Sequence, residues 1–238
     1  MKQRLDQTMV LRGLVSTRSQ AESYIRLGKV LVNGKAVTKA GTMVGDDHAI
    51  VLTATEQYVS RAALKLASVA ADFKLDFRDK VMLDVGSSTG GFTEYALRHG
   101  AKKVIAVEVG TDQLHPTLHG HPQIELHEKT DIRDFRTDQP IDLVVADVSF
   151  ISLREILPSV LKLCTKQTQL AIMVKPQFEA GQSNLKHKGV IKNDKMRRDI
   201  LKDFEVWAHQ YFVVVDKADS QVAGSKGNLE RFYLMKPL

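Results

Sequence analysis

The chain has 238 residues, which suits one ordinary domain with a smaller one attached, and its apolar fraction of 43% supports a sizeable core. A single cysteine, Cys164, excludes a disulfide framework, indicates a reducing compartment and is typical of a small buried residue in a helix. No stretch approaches the ~18 apolar residues that span a bilayer, and the N-terminus lacks a secretory signal, so we expect a cytoplasmic protein without stable membrane insertion.

The positive charge of the chain is concentrated at its start. The net charge is +6, and residues 1–39 carry eight basic and two acidic side chains, so the remainder is close to neutral. A basic segment of this kind indicates a polyanionic partner, although a solvated basic face accounts for the charge equally well.

The first predicted element is a short helix over residues 16–28. Two residue pairs there, Thr17 with Gln20 and Ser19 with Glu22, have the spacing of a capping box. The dipeptide Asn33-Gly34 lies between two apolar runs and predicts a hairpin, and another strand follows it.

These elements predict a compact helix-and-hairpin domain over residues 1–53. Residues 54–57 are polar and predict a short linker, which restricts how the two domains are placed. Residues 58–238 form the second predicted domain.

Helical and strand patterns alternate through the second domain. Helices are predicted over residues 58–73, 92–100, 152–164 and 194–210. Strands are predicted over residues 80–86, 103–110, 124–131, 141–149, 169–177, 211–219 and 229–236, the last two as an antiparallel pair. This pattern is typical of a doubly wound, Rossmann-like α/β fold with a seven-stranded sheet, in which ligands bind at the carboxyl ends of the strands.

A glycine-rich turn, residues 84–92, follows the first strand of this domain. Its glycines fit neither the dinucleotide pattern nor a P-loop. Glu108 ends the next strand, where an acid can accept both hydrogen bonds of a ribose diol. The turn and the acid indicate S-adenosylmethionine or a dinucleotide, with a purely structural turn as the remaining alternative.

The N-terminal segment resembles the small RNA-binding domain named after ribosomal protein S-four. The similar features are Arg4-Leu5-Asp6, Gly13-Leu14, residues 17–20, Ile25 with Gly28, and Val32-Asn33-Gly34. The resemblance implies that helices present basic side chains to the phosphate backbone of structured RNA. The RNA-binding residues expected are Arg4, Arg12, Arg18, Arg26, Lys29 and, at the start of the second domain, Arg61.

Five ordered segments carry a second resemblance: LDVGSSTGGFTEYAL, AVEVGTDQL, DLVVADVSFISL, MVKPQFEAG and GNLERFYL. Together with the N-terminal domain they are similar to the TlyA family, whose members are known as haemolysins and as rRNA 2'-O-methyltransferases, and whose second domain is FtsJ/RrmJ-like. The resemblance covers nearly the whole chain. It implies S-adenosylmethionine-dependent methylation of a ribose 2'-hydroxyl, of cytidine, in ribosomal RNA or ribosomal subunits.

The same resemblance implies the site residues. The family's Lys-Asp-Lys-Glu tetrad falls on Lys65, Asp147, Lys175 and Glu230. The cofactor loop falls on Asp84, Gly86, Ser87, Ser88, Thr89, Gly90, Gly91 and Phe92. The remaining cofactor residues are Glu108 for the ribose, where the family more often has Asp, Asp131 beside the adenine, and Asp147 near the methyl group.

The chemistry of a ribose hydroxyl explains why such residues are needed. The hydroxyl is a weak nucleophile, and transfer to it is chiefly a positioning task. Lys175 is expected to take or share the hydroxyl proton, Lys65 to help hold the hydroxyl, and the two acids to orient the lysines. Taken singly, each residue is more typical of an ordinary surface charge, but Asp147 and Lys175 end two apolar strands, where charged side chains face the cleft.

Two further features are less specific. Three histidines, His115, His119 and His121, lie within seven residues, but structural zinc usually has four ligands, so we expect a loop and no metal. A basic run predicts either a lip that grips RNA or an ordinary charged loop and helix; its residues are Lys186, Lys188, Lys192, Lys195, Arg197 and Arg198.

Two alternatives to an RNA methyltransferase remain at this point. One is a membrane-active haemolysin, which needs a signal, a spanning segment or a strongly amphipathic surface helix. The other is a non-catalytic RNA-binding factor in ribosome assembly that keeps the fold.

Overall fold

The computed structural model describes residues 2–54, 58–180, 190–191, 193–224 and 227–238. Within them the chain forms a small α+β domain followed by an α/β domain with a seven-stranded sheet, which confirms the predicted fold class. Residues 55–57 of the predicted linker lie outside the described ones. In the part of the chain that the structure describes, no helix is long and apolar enough to cross a membrane.

The N-terminal domain packs two helices against short strands. The helices are α1 (Leu5–Leu11) and α2 (Arg18–Arg26). The strands are β1 (Gln3–Arg4), β2 (Val30–Val32), β3 (Lys35–Ala36), β4 (Met43–Val44) and β5 (Ile50–Leu52), of which β1 pairs with β4 and β2 lies between β3 and β5.

Local sequence explains the helix start and the hairpin of this domain. Of the two candidate capping pairs, Thr17 and Gln20 form the box: each side chain bonds the other residue's backbone N–H. Asn33 and Gly34 connect β2 to β3 with φ of 50° and 77°, the left-handed conformation that a two-residue hairpin turn requires.

The second domain contains five α-helices, one 3-10 helix (Pro116–Leu118) and seven strands within the described residues. The helices are α3 (Arg61–Ala70), α4 (Gly91–Arg98), α5 (Leu153–Leu161), α6 (Pro176–Glu179) and α7 (Asp194–Ala208). The strands are β6 (Val81–Val85), β7 (Lys103–Val107), β8 (Ile124–His127), β9 (Ile141–Ala146), β10 (Cys164–Val174), β11 (Phe212–Asp219) and β12 (Arg231–Pro237).

The strand order places a ligand cleft near the middle of the sheet. The order is β11-β12-β10-β9-β6-β7-β8, with β12 antiparallel to both neighbours and the other pairings parallel. From β6 the chain moves outward through β7 to β8 and then returns to the other side of β6 as β9. The carboxyl ends of β6 and β9 therefore lie at a topological switch point, where such folds bind ligands.

The core lies on both faces of this sheet. Successive strand residues point to opposite faces, so Met82 packs with the α3 and α4 side and Leu83 with the α5 and α7 side. The apolar core of the N-terminal domain is continuous with the first of these layers. Gln20 strengthens the junction by donating a hydrogen bond of 2.9 Å to the carbonyl of Tyr58.

The prediction that Cys164 lies in a helix is wrong. Helix α5 ends at Leu161, and Cys164 is the half-buried first residue of β10, paired with Ile141. The hydroxyl of Thr168, also in β10, donates to the Ile141 carbonyl at 2.7 Å and fixes the two strands together at this end.

Candidate active site

Four elements each place one charged side chain in a buried cluster at the carboxyl edge of the parallel strands. Lys65 is on α3, Asp147 follows β9, Lys175 follows β10, and Glu230 comes just before β12. The two lysines and Glu230 are at most 8% exposed. The tetrad inferred from resemblance is therefore one contiguous group in space.

The cluster alternates in charge. Lys175 Nζ lies 2.5 Å from Asp147 Oδ1, while Lys65 Nζ lies 3.7 Å from Asp147 Oδ2 and 2.6 Å from Glu230 Oε2. Each buried charge thus has an opposite neighbour, which is the condition for holding ions out of water.

Asp147 is the centre of this network. Burial alone would raise the pKa of its carboxyl group, but the ammonium groups of Lys65 and Lys175 outweigh burial and hold that pKa below its ordinary value. Asp147 is therefore a carboxylate at neutral pH and fixes the position of both lysines.

The segment before β12 positions Glu230. A Cβ atom added to Gly224 would come within 2.5 Å of Glu230 Oε1, so the chain passes directly over the carboxylate. Arg197 supports the same segment: its Nε donates to the Leu229 carbonyl at 3.1 Å, and its Nη2 lies 2.6 Å from Asp219 Oδ1. Arg197 is buried by these contacts, which contradicts its prediction as part of an RNA-gripping lip.

A cavity of about 480 Å³ adjoins the cluster and reaches Lys175 and Asp147. Glu108 lies on its wall, with Oε2 accepting from the backbone N–H of Ser88 at 2.9 Å and Oε1 from that of Gly110 at 2.8 Å. Each oxygen keeps a further lone pair for a ligand hydroxyl. The predicted cofactor residues that line the cavity are Asp84, Gly86, Ser87, Ser88, Thr89, Phe92, Glu108, Asp131 and Asp147.

Comparison with known proteins gives the family of each domain. Residues 58–236 match the FtsJ-like methyltransferase family, and residues 3–50 match the S4 domain. The 16S/23S rRNA (cytidine-2'-O)-methyltransferase TlyA of Mycobacterium tuberculosis is 36% identical over 98% of this chain and 89% of its own. This chain belongs to the TlyA family.

Other members of the TlyA family carry a different name. Hemolysin A of Brachyspira hyodysenteriae is 35% identical over 95% of this chain and 97% of its own. The solved structure of a hemolysin-named protein from Streptococcus thermophilus is 34% identical, covers 99% of this chain and 88% of its own, and superimposes with a TM-score of 0.73.

Two of the predicted cofactor residues, Gly90 and Gly91, lie outside the cavity lining of this TlyA-family chain. Gly90 has a φ of 85°, and Gly91 begins α4, where an added Cβ would clash with Ser60 Oγ and lie 2.8 Å from Ala62 Cβ. Gly91 therefore lets α4 approach the first turn of α3, the helix that carries Lys65.

Two aromatic side chains near the cluster carried no prediction: Phe150, which lines the cavity, and Phe178, which packs against Phe150. Phe150 is 92% exposed and has a φ of 66°, a conformation that costs a bulky residue about 1–3 kcal/mol. Its ring lies 5.2 Å from that of Phe178. The signal was present: Phe150 comes three residues after Asp147, in a loop that leaves a buried strand.

The predicted RNA-binding arginines of the first domain differ in their contacts. Asp6 is fully buried and receives Arg4 Nε and Arg18 Nη2, each at 2.9 Å. Arg12 donates to three carbonyls in the turn at residues 45–48. These three guanidinium groups stabilise the fold of the domain, whatever else they bind.

The other predicted RNA-binding residues are placed differently. Arg26 and Lys29 are exposed. Arg61 is half-buried at the start of α3 and is one of the positive charges that lower the pKa of Asp147.

The three histidines and the rest of the basic run add no residue to the candidate site within the described part of the chain. Among the described residues, no three His, Cys, Asp or Glu side chains are grouped to hold a metal ion. His119 Nε2 lies 2.8 Å from the Leu114 carbonyl. In the basic run, Lys195 and Arg198 are exposed, and the remaining lysines (Lys186, Lys188 and Lys192) lie outside the described residues.

Asp84 leads to a prediction about pH. Burial raises the pKa of its carboxyl group to about 7, against a bond of 2.7 Å from Thr93 Oγ1 that favours the charged form. Between the unfolded value of 3.8 and about 7, the folded state holds a proton that the unfolded state has lost, so stability falls as pH rises through this window. Asp84→Asn should remove this fall, as urea unfolding at about pH 5 and about pH 8 would measure. An equal loss of unfolding free energy in both proteins would contradict it.

Proposed function

We propose that this chain is an S-adenosylmethionine-dependent methyltransferase that methylates the ribose 2'-hydroxyl of a cytidine in ribosomal RNA. The observation that carries the proposal is the alternating Lys175–Asp147–Lys65–Glu230 cluster at one end of a cavity whose wall includes the acid Glu108. The Mycobacterium tuberculosis relative named as a cytidine-2'-O-methyltransferase supports the choice of reaction and nucleotide.

The cavity fits S-adenosylmethionine. Glu108 would bind the ribose diol through its free lone pairs, and the turn after β6 would follow the rest of the molecule. Asp84 Oδ1 and Ser87 Oγ are buried at the cavity wall without a hydrogen-bond partner in the described part of the chain, so they are available to a polar ligand. When bound, the cofactor supplies an electrophilic methyl group.

The chain's own residues position and deprotonate the nucleophile. Lys175 Nζ lies at the cavity, held by Asp147 and by a hydrogen bond of 2.8 Å that it donates to Ser149 Oγ. We infer that the Lys175 ammonium first gives a proton to solvent, and that the resulting amine accepts the proton of the ribose hydroxyl. Lys65, which is itself paired with Glu230, contacts Asp147 from the other side and so helps to keep the Lys175 amine aimed at the cavity.

RNA would reach this site by two kinds of contact. The exposed Arg26 and Lys29 of the S4 domain can bind phosphates, which positions the RNA without reading its bases. Phe150 and Phe178 present aromatic faces beside Lys175, on which an unpaired base can stack.

The cofactor assignment predicts the effect of changing Glu108. Glu108→Ala should raise the Kd for S-adenosylmethionine by about 10–100-fold, because two charge-assisted hydrogen bonds are lost. Isothermal titration calorimetry measures this, with Asp134→Ala, an exposed acid near the same edge of the sheet, as the matched control. Absence of wild-type binding, even with RNA present, would instead favour a non-catalytic RNA-binding factor.

A further inference from the structure

Two segments meet at the candidate active site, and besides the Lys175–Asp147 ion pair they are joined at three points. The β9 loop, residues 147–153, carries Asp147; the β10 segment, residues 175–179, carries Lys175. Lys175 donates to Ser149, Phe178 packs on Phe150, and Glu179 bonds the end of the β9 loop.

The third junction is a buried carboxylate. Glu179 Oε2 accepts from Ser152 Oγ and Oε1 from the backbone N–H of Leu153, both at 2.7 Å, and the side chain is 1% exposed. Arg154 Nε lies 3.7 Å away and offsets the charge. A carboxylate buried this completely, with both oxygens on one neighbouring loop, fixes the distance between the two segments.

We propose that Glu179 is a positioning residue for methyl transfer, which holds the β9 loop in register with Lys175. The inference rests on the proposed function. Glu179 does not act on the substrate directly; it acts through the Asp147–Lys175 pair and through Phe150.

The backbone of Phe150 shows why such a tie is needed. Its left-handed conformation is unfavourable, so neighbouring contacts must maintain it. Ser149 on one side is bonded to Lys175, and Ser152 and Leu153 on the other side are bonded to Glu179. Loss of the Glu179 bonds frees one end of the loop, so Phe150 can relax, and Ser149 and Asp147 can shift relative to Lys175.

Three variants separate positioning from general stability. Glu179→Ala removes both bonds. Glu179→Gln keeps them, because its amide oxygen can accept from Leu153 and its amide nitrogen can donate to Ser152 Oγ. Thr168→Ala is the matched control: it removes a buried bond between β9 and β10 at the opposite end of the same two strands.

The measurements are kcat and KM for RNA methylation, calorimetric affinity for S-adenosylmethionine, the thermal midpoint, and hydrogen exchange of peptides covering residues 147–157. We expect Glu179→Ala to lower kcat about 10–100-fold, with cofactor affinity within about twofold of wild type and faster exchange in that peptide. Glu179→Gln should stay within about threefold of wild-type kcat. Thr168→Ala should lower the thermal midpoint but should neither lower kcat nor speed the exchange of that peptide.

The proposal is overturned if the loss of kcat in Glu179→Ala and Thr168→Ala is proportional to the fall in their thermal midpoints. It is also overturned if Glu179→Gln loses as much kcat as Glu179→Ala. Should Glu179→Ala not fold, Ser152→Ala removes one of the two bonds and is expected to lower kcat about 3–10-fold; an unchanged kcat would refute the proposal. Wild-type protein without methyl transfer would refute the proposed function, while the exchange data would still test whether Glu179 holds the β9 loop.

Discussion

Lys175→Ala should lower methyl transfer to RNA by about 10²–10⁴-fold while S-adenosylmethionine still binds within about twofold of wild type. The variant removes the amine that lies 2.5 Å from Asp147 and leaves the cavity wall at Glu108 intact. Single-turnover transfer of labelled methyl groups measures the chemical step, and calorimetry measures binding.

A lysine on the same strand provides the control for this variant. Lys166 is exposed on β10, toward the strand's amino end, so Lys166→Ala changes the same charge far from the cavity and should leave both values unchanged. Turnover of Lys175→Ala near the wild-type rate would show that another group receives the hydroxyl proton.

Glu230→Gln should lower both stability and turnover, because it removes a charge that is 2.6 Å from Lys65. Among the described residues, the buried ammonium then keeps only Asp147, at 3.7 Å, as an ionic partner, so we expect a loss of about 2–3 kcal/mol in the free energy of unfolding. Lys65 is also drawn toward Asp147, which disturbs the Asp147–Lys175 pair, and turnover should fall about 100-fold.

A double variant separates these two effects. Combining Lys65→Met with Glu230→Gln removes both charges, so the unfolding free energy should return to within about 1 kcal/mol of wild type while turnover stays low. Glu155→Gln, an exposed acid on α5, should change stability by no more than about 0.5 kcal/mol. Recovery of turnover in the double variant would show that the outer pair serves stability alone.

The sequence predicts half of the charged cluster on physical grounds. Asp147 and Lys175 end two apolar strands, and the carboxyl ends of parallel strands meet at one edge of a sheet. Glu230 comes before its strand, and it reaches the same edge because β12 runs antiparallel between β10 and β11. Pairing direction depends on the whole sheet, so only resemblance placed Glu230 in the site.

Charge counting was less informative about individual arginines. The excess of positive charge in residues 1–39 is real, but Arg4 and Arg18 bind buried Asp6 and Arg12 binds backbone carbonyls. A count of charges contains no information about such internal partners. Phe150 was missed for a related reason, since its exposure and its positive φ arise from the loop that Glu179 and Lys175 hold.

The central claim is methyl transfer to a ribose 2'-oxygen of ribosomal RNA. Purified protein, incubated with labelled S-adenosylmethionine and ribosomal subunits, can be tested by mapping ribose methylation along the rRNA. We expect label on the 2'-oxygen of a cytidine, and none with Lys175→Ala. Label on a base or on a ribosomal protein, or equal labelling by both proteins, would contradict the account.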